Sequence, residues 1–262
     1  MAKPRLCFTL LYKDGNFHLS RNFNLQSVGD FDWLIENYEF ESIIRSIDEL
    51  FILNVSNDDF NWSDYIDTFQ SLIEHCFMPV AIGGGIRNDD QAKMLFDNGA
   101  DKIILNSSFF IDPKLIERLV LKYGSQSIVA SLDVKINDSK NYNVFIEGGN
   151  KNSGLDLAEG ISRIVKLGAG EIYLTSIDRD GTGMGYDLDI LEYASRACDL
   201  PIIASGGADT YDRLVEGIKS GYVSAVSTSH LFNFMFDGLK DARIKLINEG
   251  VNLTKWNFED IK

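Results

Sequence analysis

The two halves of this chain repeat each other at one spacing. The stretch AIGGGI at 81–86 stands 122 residues before IASGGA at 203–208, so that Gly84 matches Gly206. ELFILN at 49–54 stands the same distance before EIYLTS at 171–176, and Gly99 matches Gly221. The halves superimpose at this offset without gaps. Self-similarity over such a length marks a fold assembled from two like units. An open, doubly wound sheet has no reason to repeat at half its length, whereas a closed eight-stranded barrel divides naturally into two halves of four strands.

The pattern along the chain agrees. Short apolar runs recur at 6–11, 50–55, 78–82, 102–106, 127–134, 171–177, 201–205 and 223–227, and read as eight buried strands. Between them lie segments of helical period, such as DDQAKMLFDNG, PKLIERLVLKYG, LDLAEGISRIVKLGAG and TYDRLVEGIKSG, several ending on a glycine where a helix C-cap belongs. Eight strands alternating with helices predict an α/β fold, a (β/α)8 TIM barrel with a two-fold half-barrel repeat, filling residues 1–262 as one domain.

Composition narrows the partners. With 45 % hydrophobic residues the chain can bury a large core, and a formal net charge of −14 leaves no overall electrostatic footprint for nucleic acid or an anionic membrane. The apolar stretch near the N-terminus is about seven residues, too short for a signal-peptide core or a membrane span, so a cytoplasmic location is expected. The three cysteines show no C-x-x-C spacing, and His18, His75 and His230 are scattered, so neither a metal site nor a cofactor is expected.

In a barrel of this kind the chemistry sits at the C-terminal ends of the strands. Four of those ends read as anion cradles: Gly83 with Gly84 and Gly85, Asn106 with Ser107, Ser205 with Gly206 and Gly207, and Thr228 with Ser229. Backbone N–H groups at glycine turns approach phosphate oxygens closely, and hydroxyls add donors. Because repeat partners lie on opposite sides of the mouth, the implied ligand is a small molecule with a phosphate at each end. In LTSIDRDGTGMGYD, residues 174–187, Thr175, Asp178 and Asp180 close the sixth strand at the mouth, and Gly181, Thr182 and Gly183 turn a loop over that ligand.

That segment, together with VAIGGGIRNDDQAKMLFDNGADKIILNSS and PIIASGGA, resembles the cyclase subunit of imidazole glycerol phosphate synthase, and the likeness runs over nearly the whole chain. A sister isomerase shares the fold, but the strand 6 segment is closer to the cyclase. The resemblance implies a lyase-type subunit, paired with a glutaminase as a heterodimer. Ammonia enters at the base of the barrel and is used at the mouth to split and cyclise a bisphosphate aminoimidazole ribonucleotide. It also implies two catalytic carboxylates, at the ends of strands 1 and 5. Asp133 fits the second; Leu11 stands at the first, 122 residues earlier, and the nearest carboxylate beyond it is Asp14. Leu19 stands where the family offers a lysine to the substrate, and Asn54 where an aspartate is common.

At the base, Arg5, Glu49, Lys102 and Glu171 match the charged ring that gates ammonia entry in that family, and Asp101 matches a residue of the glutaminase-docking face. Proteins resembling this one but lacking the strand 1 carboxylate occur in pathways that install amidine groups on surface-polysaccharide sugars, where an amidotransferase consumes the ammonia. The implied function is ammonia supply to such a sugar amidotransferase. The alternative is a working cyclase in histidine biosynthesis.

Overall fold

Each expected strand forms, and the eight close on themselves. The computed structural model describes residues 3–38, 45–56, 60–74, 76–230 and 237–254; His75 lies outside them. The strands are β1 (Arg5–Lys13), β2 (Asn16–Arg21), β3 (Asn24–Gly29), β4 (Glu49–Asn54), β5 (Val80–Gly83), β6 (Lys102–Leu105), β7 (Ile128–Ile136), β8 (Tyr142–Ile146), β9 (Lys151–Asp156), β10 (Glu171–Ser176), β11 (Ile202–Ser205) and β12 (Ala225–Thr228). Neighbours in the order β1, β4, β5, β6, β7, β10, β11, β12 are parallel, and β12 returns to β1, which makes a closed (β/α)8 barrel.

The helical segments behave as their sequences require. Asp112 caps Pro113–Tyr123 by accepting from the Leu115 N–H at 3.2 Å, with proline in the first turn where its missing donor costs nothing. Asp156 and Glu159 form a reciprocal capping box at the start of Leu157–Leu167, and Gly168 ends that helix in the left-handed region at φ +81°. Among the described residues no helix is long and apolar enough to cross a membrane.

Side chains that alternate along each strand fall into two cores. The outer one lies between barrel and helices and includes Leu6, Phe8, Leu10 and Ile52. The inner one takes one side chain from every barrel strand: Cys7, Phe51, Ala81, Ile104, Val129, Tyr173, Ile203 and Ala225. None of these eight is more than 3 % exposed, so the barrel interior is filled at mid-height.

The half-barrel repeat is physical, with one correction. Cys7 pairs with Glu49 as Val129 pairs with Glu171, and Leu50 with Val80 as Ile172 with Ile202, each at the 122-residue offset. In the fourth strand of each half the offset becomes 123: Ile104 pairs with Val129, whereas Ser227, not Val226, pairs with Cys7. The gapless superposition therefore ends there, and the extra residue keeps Ala225 facing inward.

Each half also carries an antiparallel extension on its first strand. β2 and β3 fold back from β1, and β8 and β9 from β7. The tight turn at Asp14 and Gly15, with φ of +48° and +84°, starts the first extension; Asp-Gly is the residue pair such a turn favours.

Candidate functional site

The base of the barrel is closed by four charges of alternating sign. Arg5 bonds both Glu49 and Glu171, and Lys102 Nζ lies 2.7 Å from Glu49 Oε1 and 3.1 Å from Glu171 Oε2. Both carboxylates are buried, and each touches both cations, so every charge in the ring is compensated. Burial pushes the Glu49 carboxyl up against the pull of Lys102 and Arg5. For Lys102 burial acts downward, yet Glu49 and Glu171 outweigh it and hold the ammonium above its ordinary range. Asp101, beside the ring, accepts from the Val80 N–H at 2.8 Å and ties β5 to the start of β6.

Above the ring comes the inner core, and above that a belt of hydroxyls. Tyr173 accepts from Ser205 Oγ at 2.9 Å and shares a hydrogen bond with Thr9 Oγ1 at 2.8 Å; Thr9 reaches Ser227 Oγ at 2.7 Å. Sequence reading passed over Thr9, Tyr173 and Ser227. Their signal was the two-residue step that puts Tyr173 above Glu171, and Thr9 above Cys7 and Arg5, on the inward face.

At the mouth, Leu11 and Asp133 hold equivalent places. Leu11 pairs with Leu53 and Asp133 with Thr175, both at the 122-residue offset. Asp133 is 8 % exposed and accepts from Ser131 Oγ at 3.2 Å and from Asn106 Nδ2 at 3.1 Å. Burial lifts its pKa to about 7; the Ser131 hydrogen bond opposes the rise and the charge of Asp180 adds to it. Asp14 sits exposed in the β1–β2 turn. Asp178 accepts from the Ile136 N–H at 2.8 Å and anchors the loop to β7.

The two strand extensions roof the mouth. From the first, Ser20 Oγ donates to Asp180 at 2.5 Å, the Phe23 N–H donates to the same carboxylate at 3.0 Å, and the Asn22 N–H reaches the Asp180 carbonyl at 2.9 Å. Burial raises the Asp180 carboxyl while Ser20 and the Phe23 N–H hold it down. From the second, the Phe145 carbonyl accepts from Asn106 at 3.4 Å, and the Glu147 N–H donates to Ser107 Oγ at 3.0 Å. The turns meet: a Cβ on Gly149 would lie 2.5 Å from the Phe23 ring.

The predicted cradles are thus placed differently. Gly206, Gly207, Thr228 and Ser229 share one small open cleft with Asp180, Gly181, Leu19, Ser20, Asp209 and His230. Of the hydroxyls lining it, Thr228 Oγ1 donates to the Ala208 carbonyl at 2.9 Å, Ser20 Oγ to Asp180 at 2.5 Å, and Ser227 Oγ shares its bond with Thr9, which singles out Ser229 as the hydroxyl to meet a ligand. Thr182, outside the lining, donates to the Arg179 carbonyl at 2.7 Å. Gly84, Gly85, Asn106 and Ser107 do not line it. Gly84 packs on the Asn54 carbonyl, where a Cβ would come within 1.9 Å, and Asn106 turns its amide to Asp133 and the Ser131 carbonyl. Among the described residues no group of three or more His, Cys, Asp and Glu side chains is placed to hold a metal ion.

Comparison with known proteins bears on this geometry. The family described as "Histidine biosynthesis protein" matches residues 24–237. A protein of Parasynechococcus marenigrum, provisionally named imidazole glycerol phosphate synthase subunit hisF2, is 43 % identical over 98 % of this chain and 95 % of its own length. Imidazole glycerol phosphate synthase subunit HisF of Dictyoglomus turgidum is 36 % identical over 87 % of this chain and 88 % of its own. That of Streptococcus mutans is 34 % identical over 97 % of this chain and the whole of its own.

Proposed function

Because the chain belongs to the histidine biosynthesis protein family and is a cyclase subunit of the HisF kind, we propose that it takes ammonia from a glutaminase partner at its base and supplies it to an amidotransferase acting on surface-polysaccharide sugars. The observation that carries this reading is Leu11 standing at the place equivalent to Asp133. The base ring has all four charges, while of the two repeat-equivalent strand ends at the mouth only that of Asp133 carries a carboxylate, where proton transfer in both directions calls for two. A leucine neither gives nor takes a proton.

In this reading Arg5, Glu49, Lys102 and Glu171 gate the ammonia, and Asp101 lies on the docking face. Paired charges close the ring, and the shift of one side chain opens it to a neutral molecule. Asp133, with a pKa of about 7, exchanges a proton readily near neutrality and is the candidate general acid or base. Gly206, Gly207 and Ser229, with Asp180 and Gly181 beside them, form the phosphate-binding end. Gly84, Gly85, Asn106, Ser107, Thr175 and Ser205 belong to the rest of the ligand site, with Thr182 and Thr228 shaping its loops.

A second reading, a working cyclase in histidine biosynthesis, draws on the same cleft, because a cradle for phosphate serves a bound ribonucleotide. The two are separated by supplying ammonium salts and the family's bisphosphate ribonucleotide to the purified chain. A rate far below about 1 s⁻¹ fits ammonia supply to another enzyme, whereas a rate typical of an unimpaired enzyme overturns it in favour of the cyclase.

A further inference from the structure

The strands that bring the acidic members of the ring also bring the two largest side chains of the inner core. Phe51 and Tyr173 stand two residues above Glu49 and Glu171 on β4 and β10. These strands are repeat equivalents on opposite sides of the barrel, and the two rings meet, with centroids 5.1 Å apart and planes tilted by 39°. Six smaller side chains complete the layer around them, and the whole layer is sealed from solvent. Hydrogen bonds to Thr9 and Ser205 hold the Tyr173 hydroxyl, so its ring is fixed at the tip as well as packed along its face.

We infer that Phe51 and Tyr173 form a second closure of the barrel axis, latched by Thr9 and Ser205, which ammonia passing the charged ring has to open before it reaches Asp133. This rests on the ammonia-conduit reading. A filled, fully packed layer has no standing passage, so transit needs a side chain to move. The Tyr173 hydroxyl is neutral, because burial raises its pKa over the opposing hydrogen bonds from Ser205 and Thr9. The latch is therefore broken by exchanging hydrogen bonds rather than by separating charges, and ammonia, both a donor and an acceptor, can compensate the exposed hydroxyls as it passes.

Two measurements test the closure. With the ring ζ carbon of tyrosine labelled with ¹³C in an equal mixture of H₂O and D₂O, and the Tyr173 signal assigned by its loss in Tyr173→Phe, a latched hydroxyl exchanges its proton slowly and gives two resolved signals, one for O–H and one for O–D. These merge when Thr9→Val and Ser205→Ala are combined; a single averaged signal in the parent protein overturns the latch. In the complex with glutaminase, amide-¹⁵N glutamine then competes with unlabelled bulk ammonium, and the ¹⁵N enrichment of product formed from the bisphosphate ribonucleotide is read by mass spectrometry. Tyr173→Leu should raise the enrichment several-fold. Unchanged enrichment in Tyr173→Leu, with a fall in Lys102→Met, overturns the second closure alone. No enrichment with any form overturns the conduit reading and the closure with it.

Discussion

The Ser20 hydroxyl donates to Asp180 at 2.5 Å and so fastens the extension of the first half-barrel to the strand end of the second. With the Phe23 N–H at 3.0 Å it makes one buried carboxylate the peg on which half of the roof hangs, and the Asn22 N–H adds a bond to the Asp180 backbone carbonyl. A buried carboxylate needs such donors, since water no longer supplies them.

The peg predicts the effect of Gly181→Ala. A Cβ there would lie 2.0 Å from the Ser20 carbonyl oxygen, on a backbone at φ +65°. The variant should lose about 1–3 kcal/mol in urea unfolding, the cost of a strained left-handed residue. Amide exchange at Asn22 and Phe23 should accelerate in it. Equal exchange in both proteins would mean that the extension does not depend on this contact.

Asp133 predicts a pH dependence. Its pKa is higher in the folded chain than in the unfolded one, so the folded state binds more protons between about pH 4 and pH 7 and loses stability as pH rises through that window. Moving a carboxyl from 3.8 to about 7 corresponds to ~4 kcal/mol at most. Asp133→Asn should therefore gain stability over the parent at pH 8 and lose that advantage toward pH 4, as measured by urea unfolding at both ends. A gap that stays constant with pH would show that the carboxyl is not raised.

Leu11→Asp restores a second carboxylate opposite Asp133. Supplied with ammonium and the bisphosphate ribonucleotide, it should turn over faster than the parent by up to about 10²–10⁴-fold, the usual worth of one positioned acid or base. An unchanged rate in a folded variant would place the limitation elsewhere, Leu19 in the cleft being the next residue to replace.

Lys102→Met leaves Glu49 and Glu171 bonded to Arg5. Glutamine hydrolysis in the reconstituted complex should continue while ammonia-dependent product falls. The stability loss should stay below the roughly 3–5 kcal/mol of a fully orphaned buried charge. Full coupling in a properly folded variant would reduce the ring to a structural role.

Phosphate titration followed by amide NMR should move the signals of Gly207 and Ser229, which line the open cleft. Gly85 and Asn106 should respond only at higher concentration, because the second extension bonds over Asn106 and Ser107. Silence at Gly207 and Ser229 would remove the phosphate reading of that cleft.

How much of this was legible follows from which constraints are local. The barrel was, because a strand buried on both faces has to be apolar and a half-length repeat leaves few closed folds. Arg5, Glu49, Lys102 and Glu171 were legible through the family resemblance, as charges at strand starts that match its ring, and the structure brings all four together. The extensions were harder to see. NFHLSR alternates too weakly to announce β2, although Asp14 and Gly15 before it are a hairpin pair. That Asn106 serves Asp133 rather than the Gly85 turn depends on side-chain direction across three strands, which no single segment encodes. The change of offset to 123 falls just after the matching glycines, Gly99 and Gly221, whose own spacing of 122 hides it.

The touch of Phe23 on Gly149 has a kinetic consequence. Where entry of a molecule long enough to reach both sides of the mouth requires the two turns to separate, their contact acts as a gate on binding. Association then waits for the turns to part, and the observed rate rises with concentration only until it meets the frequency of parting, where it levels off. Departure waits on the same event. The roof thereby makes residence time a property of the protein's own breathing more than of the strength with which any one group is held.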